Sequence, residues 1–377
     1  MNGRSEGIII FSGYNPRAVM AFCRVASRTR VPFAIIASSS RDLILRSKYA
    51  AQVAAIRRSP ALSWAEVTQS LSEARAATGF VRCVILPSSE ALNRFLLANR
   101  TALHDLGFEV PLVDEALYTA ISDKHSFGEL CRAHGIRVPG EIAFSEVERF
   151  PVVVKPRQYL MEPQSAPHII QSEAELEAFQ ASHDPQRFYC QEFVGGSSYY
   201  LLFYFRKAGG RYCSFSQRNL VQQPGGKSVV AAVPANIHQE TIAKTFANMF
   251  LSLGFWGLVM VEVKFSQGEY FMIEANPRLW GPSQLFVDNG VPLFEHLIAD
   301  LHLGVELDLD PLGDGAEHPY FWFGGLLQAA EAGGQVTYHE FSEDRLVEQM
   351  AHLMANDVYL RGDSLGVFWE ECKSSWR

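Results

Sequence analysis

The stretch from Leu258 to Gly281, LVMVEVKFSQGEYFMIEANPRLWG, constrains this chain more than any other. It reads as two strands joined by a tight turn at Ser266-Gln267-Gly268-Glu269, where Gly268 is free to take a positive φ. Side chains alternate across a strand. Val259, Val261, Val263 and Phe265 therefore share one face of the first strand, and Phe271, Ile273 and Ala275 share one face of the second. The opposite face collects Glu262 and Lys264, then Glu274, Asn276 and Arg278. An outward polar face is the ordinary state of a half-buried antiparallel hairpin. A solvated face has no use, however, for an amide and an arginine flanking a strand-ending Asn-Pro step. Two carboxylates and an amide oxygen above an apolar floor are a ligand set for a hard cation such as Mg2+, and the lysine and arginine beside them suit phosphate.

At 377 residues and 48% apolar content the chain can bury a large core and is long enough for two or three domains. A formal net charge of −8, with no Lys/Arg-rich tract, argues against nucleic acid as a partner. No apolar run approaches membrane-spanning length, and the opening MNGRSEGIIIF lacks the pattern of a signal peptide. The six cysteines form no CxxC pair, which suits reduced thiols in a cytoplasmic protein. Gly225-Gly226-Lys227-Ser228 looks like the end of a phosphate-binding P-loop. Val221 stands where its leading glycine belongs, though, and Pro224 interrupts it. Neither GxGxxG nor HExxH occurs.

Residues 7–115 alternate short buried strands (Gly7 to Phe11, Val31 to Ser38, Val81 to Pro87) with amphipathic helices, the pattern of a small parallel sheet with Rossmann-like winding. A helix over 121–135 opens at Ser122-Asp123, a good N-cap. PVVVKP (151–156) is a buried strand that ends on a lysine, and FYCQEF (188–193) is a strand that runs into Val194-Gly195-Gly196. Two antiparallel strands meet around Gly209-Gly210, a helix over 239–254 follows, and then comes the hairpin.

This order of elements resembles the ATP-grasp superfamily, closest to its carbamoyl-phosphate-synthase-like and carboxylate–amine ligase branch. The resemblance covers about residues 1–305 and is carried by Lys124, Lys155, the run Gln191-Glu192-Phe193-Val194-Gly195-Gly196, Glu262, and Glu274-Ala275-Asn276-Pro277-Arg278. It implies an α/β chain with a Rossmann-like domain at 1–115 and a two-lobed ATP-grasp domain at 116–305, its lobes at about 116–190 and 191–305. A small C-terminal α/β subdomain would occupy 306–377. It also implies that Lys124 and Lys155 hold the α- and β-phosphates of ATP, and that Gln191, Glu192, Phe193 and Val194 form the adenine hinge. Glu262, Glu274 and Asn276 would bind two Mg2+ ions, or Mn2+ in their place, with Glu274 bridging them. Arg278 would stabilise the transferred phosphoryl group, with Arg218 and Lys264 as further candidates, and the Gly-Gly-Lys-Ser segment would lie near the acceptor carboxylate.

Two positions depart from the family pattern. The loop Arg157-Gln158-Tyr159-Leu160-Met161-Glu162-Pro163-Gln164 has no glycine where the family folds a glycine-rich loop over the γ-phosphate, which leaves Arg157 as a substitute. Ser198 stands where a carboxylate commonly holds the ribose. The implied activity is ATP-dependent joining of a small carboxylate to an amino-acid-like amine through an acyl phosphate, in a cytoplasmic enzyme that a homodimer would suit. The alternatives are a phosphotransferase on the same scaffold, or a nucleotide-binding regulatory protein with weakened turnover.

Overall fold

The computed structural model describes residues 6–160, 167–303, 307, 309 and 317–374. The strands β1 (Glu6–Phe11), β2 (Phe33–Ala37), β3 (Val53–Ile56), β4 (Arg82–Ile85) and β5 (Phe108–Glu109) form a parallel sheet in the order β3-β2-β1-β4-β5. β1 is apolar on both faces because both are covered. Ile8 and Ile10 pack toward the helix Pro16–Arg28, whereas Ile9 and Phe11 pack toward Val67 and Leu71 of the helix Trp64–Thr78. The winding reverses between β1 and β4, which opens a crevice at their carboxyl ends. Residues just beyond β1 reach the segment that follows the hairpin. Asn15 Nδ2 donates to the Leu279 carbonyl at 2.7 Å, and Arg17 donates to Ser228 Oγ at 2.9 Å.

A second, antiparallel sheet runs β6-β9-β7-β8, from β6 (Glu141–Ile142), β7 (Val152–Pro156), β8 (His168–Ile170) and β9 (Phe188–Glu192). Leu176 and Phe179 of the helix Glu173–Ser182 cover Val152 and Val154, and Ser172 caps that helix by accepting from the Glu175 amide.

The third sheet carries the hairpin. β10 (Ser197–Phe205), β11 (Tyr212–Gln222), β12 (Val229–Ala235), β13 (Gly257–Ser266) and β14 (Glu269–Asn276) are joined by β15 (Tyr320–Phe321) in the order β14-β13-β10-β11-β12-β15. β16 (Thr337–Tyr338) pairs with Val221 and Gln222 of β11, beyond the point where the β10 pairing ends at Asn219. One face packs Leu201, Phe203, Val259, Val261 and Val263 on Phe246 and Phe250 of the helix Thr241–Ser252. The other face packs Tyr200, Leu202 and Met260 on the helices Ser283–Asp288 and Leu293–Asp300. Gly196 links β9 to β10 at φ 98°, and a Cβ there would lie 2.2 Å from the Phe265 carbonyl oxygen, so only glycine lets the chain pass.

The helix expected over 121–135 runs Lys124–Ala133 with Asp123 in extended backbone at its N-cap, directly after the helix Glu115–Ser122, and differs from expectation only in its cap. The Asp123 carboxylate does not cap the second helix. It accepts from Arg94 at 2.5 Å and from the Tyr159 amide at 3.1 Å, and two stronger partners outcompete a local cap.

The C-terminal helix Leu365–Ser374 docks through Glu371, which accepts from Trp322 Nε1 at 3.0 Å. Burial pushes the Glu371 carboxyl up to about 7 against the pull of the Trp322 hydrogen bond and of Arg17, and Asp357 raises it further. A carboxyl raised above its unfolded value contributes its full stability below about pH 4.5 and loses it as pH rises toward 7. Glu371→Gln keeps an oxygen for Trp322 and removes the titration. The variant is expected to gain about 1–3 kcal/mol over the parent at pH 8 and much less at pH 5. Urea denaturation at the two pH values measures this, and an equal gain at both would contradict it.

Candidate active site

The hairpin turn is Gln267-Gly268, both residues at positive φ, and it pairs Ser266 with Glu269, Lys264 with Phe271 and Val263 with Met272. Continued regularly, that register would set Ile273 opposite Glu262 and turn Glu274 to the other face. A β-bulge intervenes. Ile273 has no partner in the ladder, and the pairing resumes with Glu262 opposite Glu274 and Met260 opposite Asn276. The extra residue puts both carboxylates on one face. It also corrects the expected floor of the hairpin, because Met272 and Ala275 enter the core whereas Phe271 and Ile273 do not. The Ile273 carbonyl, left out of the ladder, accepts from Lys155 Nζ at 3.1 Å.

These groups line a cleft of about 640 Å3 between the second and third sheets. Lys124 Nζ lies 3.0 Å from Glu274 Oε2, Asn276 Nδ2 donates to Glu274 Oε1 at 2.8 Å, and Ser198 Oγ donates to Glu262 Oε1 at 3.0 Å. Burial and the neighbouring Glu274 raise the Glu262 carboxyl. Burial also works against the charge on Glu274, but Lys124, Asn276 and Arg278 outweigh it and hold that carboxyl well below the usual range. Burial and Lys124 together lower the Lys155 ammonium to about 8. The hydrogen bonds already made leave Glu262 Oε2 and Asn276 Oδ1 for a ligand. With Glu274 beside them, they fit a hard cation that keeps several waters.

Of the residues singled out from the sequence, the cleft brings together Lys124, Lys155, Gln191, Glu192, Phe193, Val194, Glu262, Lys264, Glu274, Asn276 and Arg278. At the hinge the Glu192 amide is spent on the Gly140 carbonyl at 2.9 Å, so an amide contact to a ligand falls to Val194. Three of the singled-out residues, Arg218, Ser198 and Arg157, do not line the cleft. Arg218 pairs with Tyr199, whose neighbours on β13 and β10 point into the core on the face opposite Glu262, so strand parity turns it away. Ser198 is wholly buried and held between Glu262 and Asn219 Nδ2 (2.9 Å), so it supports the Glu262 carboxylate and does not line the cleft. Arg157 is exposed over the Tyr189 ring at 5.6 Å and does not line the cleft, whereas Gln158 and Tyr159 do. The rest of that glycine-free loop, 161–166, lies outside the described residues. Trp280 and Gln284 are core residues; Gln284 is bound to Arg24 and Asp288.

The cleft also holds residues that the sequence motifs do not mark. Glu90 lines it from the helix Glu90–Ala98, and Gln222, Thr337 and His339 line it from β11 and the C-terminal segment. Val336-Thr337-Tyr338 after Gly333-Gly334 is a short strand signal, but nothing in it names the partner strand. A separate group of His125, Glu129 and Glu141 is exposed or half-exposed, and Arg132 pairs with both glutamates where a cation would compete with it.

No protein-family model and no curated relative matches the chain. Solved structures do. N5-carboxyaminoimidazole ribonucleotide synthetase from Thermus thermophilus superposes with a TM-score of 0.62 at 14% identity, over 93% of this chain and 98% of that one. The chain has the ATP-grasp fold. Biotin carboxylase from Campylobacter jejuni, solved as a β,γ-ATP complex, shares that fold with a TM-score of 0.61 at 13% identity, over 80% and 72% of the two chains. An L-amino acid ligase from Bacillus licheniformis gives 0.57 at 15%, over 82% and 79%. The chain spans 29% of a Rhizobium etli pyruvate carboxylase that it also resembles. The cleft is lined from both the second and the third sheet, and no helix among the described residues is long and apolar enough to cross a membrane.

Proposed function

We propose that the protein is an ATP-dependent ligase that joins a carboxylate to an amine and releases ADP and phosphate. The observation that carries this reading is the single wall of Glu262, Glu274 and Asn276, opened toward Arg278 and faced by Lys124 and Lys155. Similarity to a biotin carboxylase, a carboxyaminoimidazole ribonucleotide synthetase and an L-amino acid ligase supports the reaction class.

Phosphoryl transfer asks a protein mainly to position reactants and to offset charge. Lys155 and Lys124 supply point charges for the phosphates, and the lowered Lys155 ammonium gains most from an arriving anion. Glu262, Glu274 and Asn276 would hold Mg2+, which when bound draws charge from the phosphate oxygens. A carboxylate oxygen of the acid attacks the γ-phosphorus, the bond to the β-phosphate oxygen breaks, and ADP leaves. Arg278 offsets the charge on the transferred group. The amine then attacks the acyl carbon, the bond to the phosphate oxygen breaks, and the amine gives up a proton as the amide forms.

The test is incubation with ATP, Mg2+ and a panel of amino acids, small acids and bicarbonate, followed by mass spectrometry. ADP together with a condensed mass is expected. AMP as product would overturn the reading, and tight ATP binding without turnover would replace it with a regulatory one.

A further inference from the structure

We infer that Arg94 is a positioning residue for the phosphate end of the cleft. It offsets two carboxylates, Glu90 and Asp123, that would otherwise repel a polyphosphate, and through Asp123 it fixes the start of the glycine-free loop. This rests on the nucleotide reading above and concerns a residue outside every motif that carries the family resemblance.

Arg94 comes from the helix Glu90–Ala98, which follows β4 of the parallel sheet. Its Nε and Nη2 donate to Glu90 Oε1 at 3.1 and 3.0 Å. Nη2 also donates to Ser122 Oγ at 2.7 Å and to Asp123 Oδ1 at 2.5 Å. All three partners line the cleft, and Lys124 is the next residue in the chain. The guanidinium carbon lies 4.5 Å from the centre of the Tyr159 ring, and the Tyr159 amide donates to the same Asp123 oxygen at 3.1 Å. A helix of the first sheet therefore holds the segment 157–160 where it leaves β7. The Tyr159 amide is spent on the carboxylate that Arg94 neutralises, and the ring is laid on the guanidinium.

The charges explain why this arginine matters to a ligand. Two acids on the wall of a phosphate cleft are a liability, because like charges at close range in a half-dry site repel strongly. With Arg94 in place they carry one guanidinium between them. Without it both would face the cleft uncompensated. Lys124 registers the reach of Glu90 toward the phosphate end: burial works against its ammonium, but Glu274 and then Glu90 outweigh it and raise it. Burial works against the Arg94 charge as well, and Glu90 and Asp123 outweigh it. The planar fork serves both carboxylates and a hydroxyl at once, which orients them as well as neutralising them. A purely structural staple between two helices would leave the strength of anion binding indifferent to the charge of Glu90. Under the inference that strength follows the charge.

Calorimetric titration of the full chain in Mg2+ with ATP and with ADP tests this. In Arg94→Met, ATP is expected to bind about tenfold more weakly, and ADP, which carries less charge, to lose a smaller factor. The double variant Glu90→Gln/Arg94→Met regains the net charge of the unaltered chain and is expected to bring ATP back to within about threefold of it. A double variant that binds ATP no better than Arg94→Met would overturn the inference, as would Arg94→Met binding ATP as the unaltered chain does. Both results leave the nucleotide reading standing, whereas an unaltered chain that binds no ATP would overturn the two together. If Arg94→Met does not fold, Glu90→Gln decides alone. It is expected to tighten ATP about threefold, and an unchanged affinity would overturn the inference.

Discussion

Glu274→Gln is expected to lower turnover with ATP by about 10²–10³-fold and to abolish the stabilisation that Mg2+ and ATP confer on the parent protein. The amide has the shape of the carboxylate but neither its charge nor its two acceptors. Glu274 takes Lys124 on one oxygen and Asn276 on the other, at 3.0 and 2.8 Å. A glutamine must turn its NH2 toward one of these two donors, so one contact becomes repulsive whichever way the amide sits. Lys124 then lies in the cleft wall without its counter-charge, and stability falls by about 1–3 kcal/mol. That loss is small enough for a folded variant, which separates a failed site from a failed fold. Turnover is read by ADP release, stability by denaturant unfolding, and ligand coupling by the shift in Tm on adding Mg2+ and ATP. Turnover within twofold of the parent would remove Glu274 from the machinery and, with it, the observation on which the ligase reading stands.

Much of this site was legible in the sequence because its residues close short local patterns. A lysine after three valines at Lys155, an acidic strand that ends on Asn276-Pro277, and a hinge before Gly195-Gly196 each carry their own context. The part that was not legible depends on strand parity, which a pairing partner sets and the local run does not. No glycine or proline marks the bulge at Ile273, yet that one residue decides whether Glu262 and Glu274 share a face. Arg218 looked equivalent to its neighbours until its pairing with Tyr199 fixed its direction. His339 reaches the cleft through a two-residue strand, and two residues are too few to show an alternation. The same dependence on long-range pairing hides Asp123, whose N-cap pattern is sound and whose carboxylate is claimed by Arg94.

Ser198→Asp separates the expectation from sequence from that of the fold, since the two predict opposite results. If position 198 faced the ribose, an aspartate there would restore the usual carboxylate and tighten nucleotide binding. In the structure Ser198 has no exposed surface, and its hydroxyl donates to Glu262 at 3.0 Å while accepting from Asn219. An aspartate would lose that donor and bring a second buried carboxylate against Glu262, whose own proton is already held more tightly by burial and by Glu274. Asn219 can satisfy one of its oxygens, but an ionised aspartate has no proton to replace the one that Ser198 gives to Glu262. An uncompensated buried charge costs about 3–5 kcal/mol, well above what one hydrogen bond to Asn219 returns. The variant is therefore expected to lose several kcal/mol at pH 8, to recover part of it near pH 5 as one carboxyl of the pair takes a proton, and to bind nucleotide more weakly throughout. Denaturant unfolding at the two pH values and an ATP titration measure these effects. Tighter ATP binding with unchanged stability would mean that position 198 faces the ligand after all.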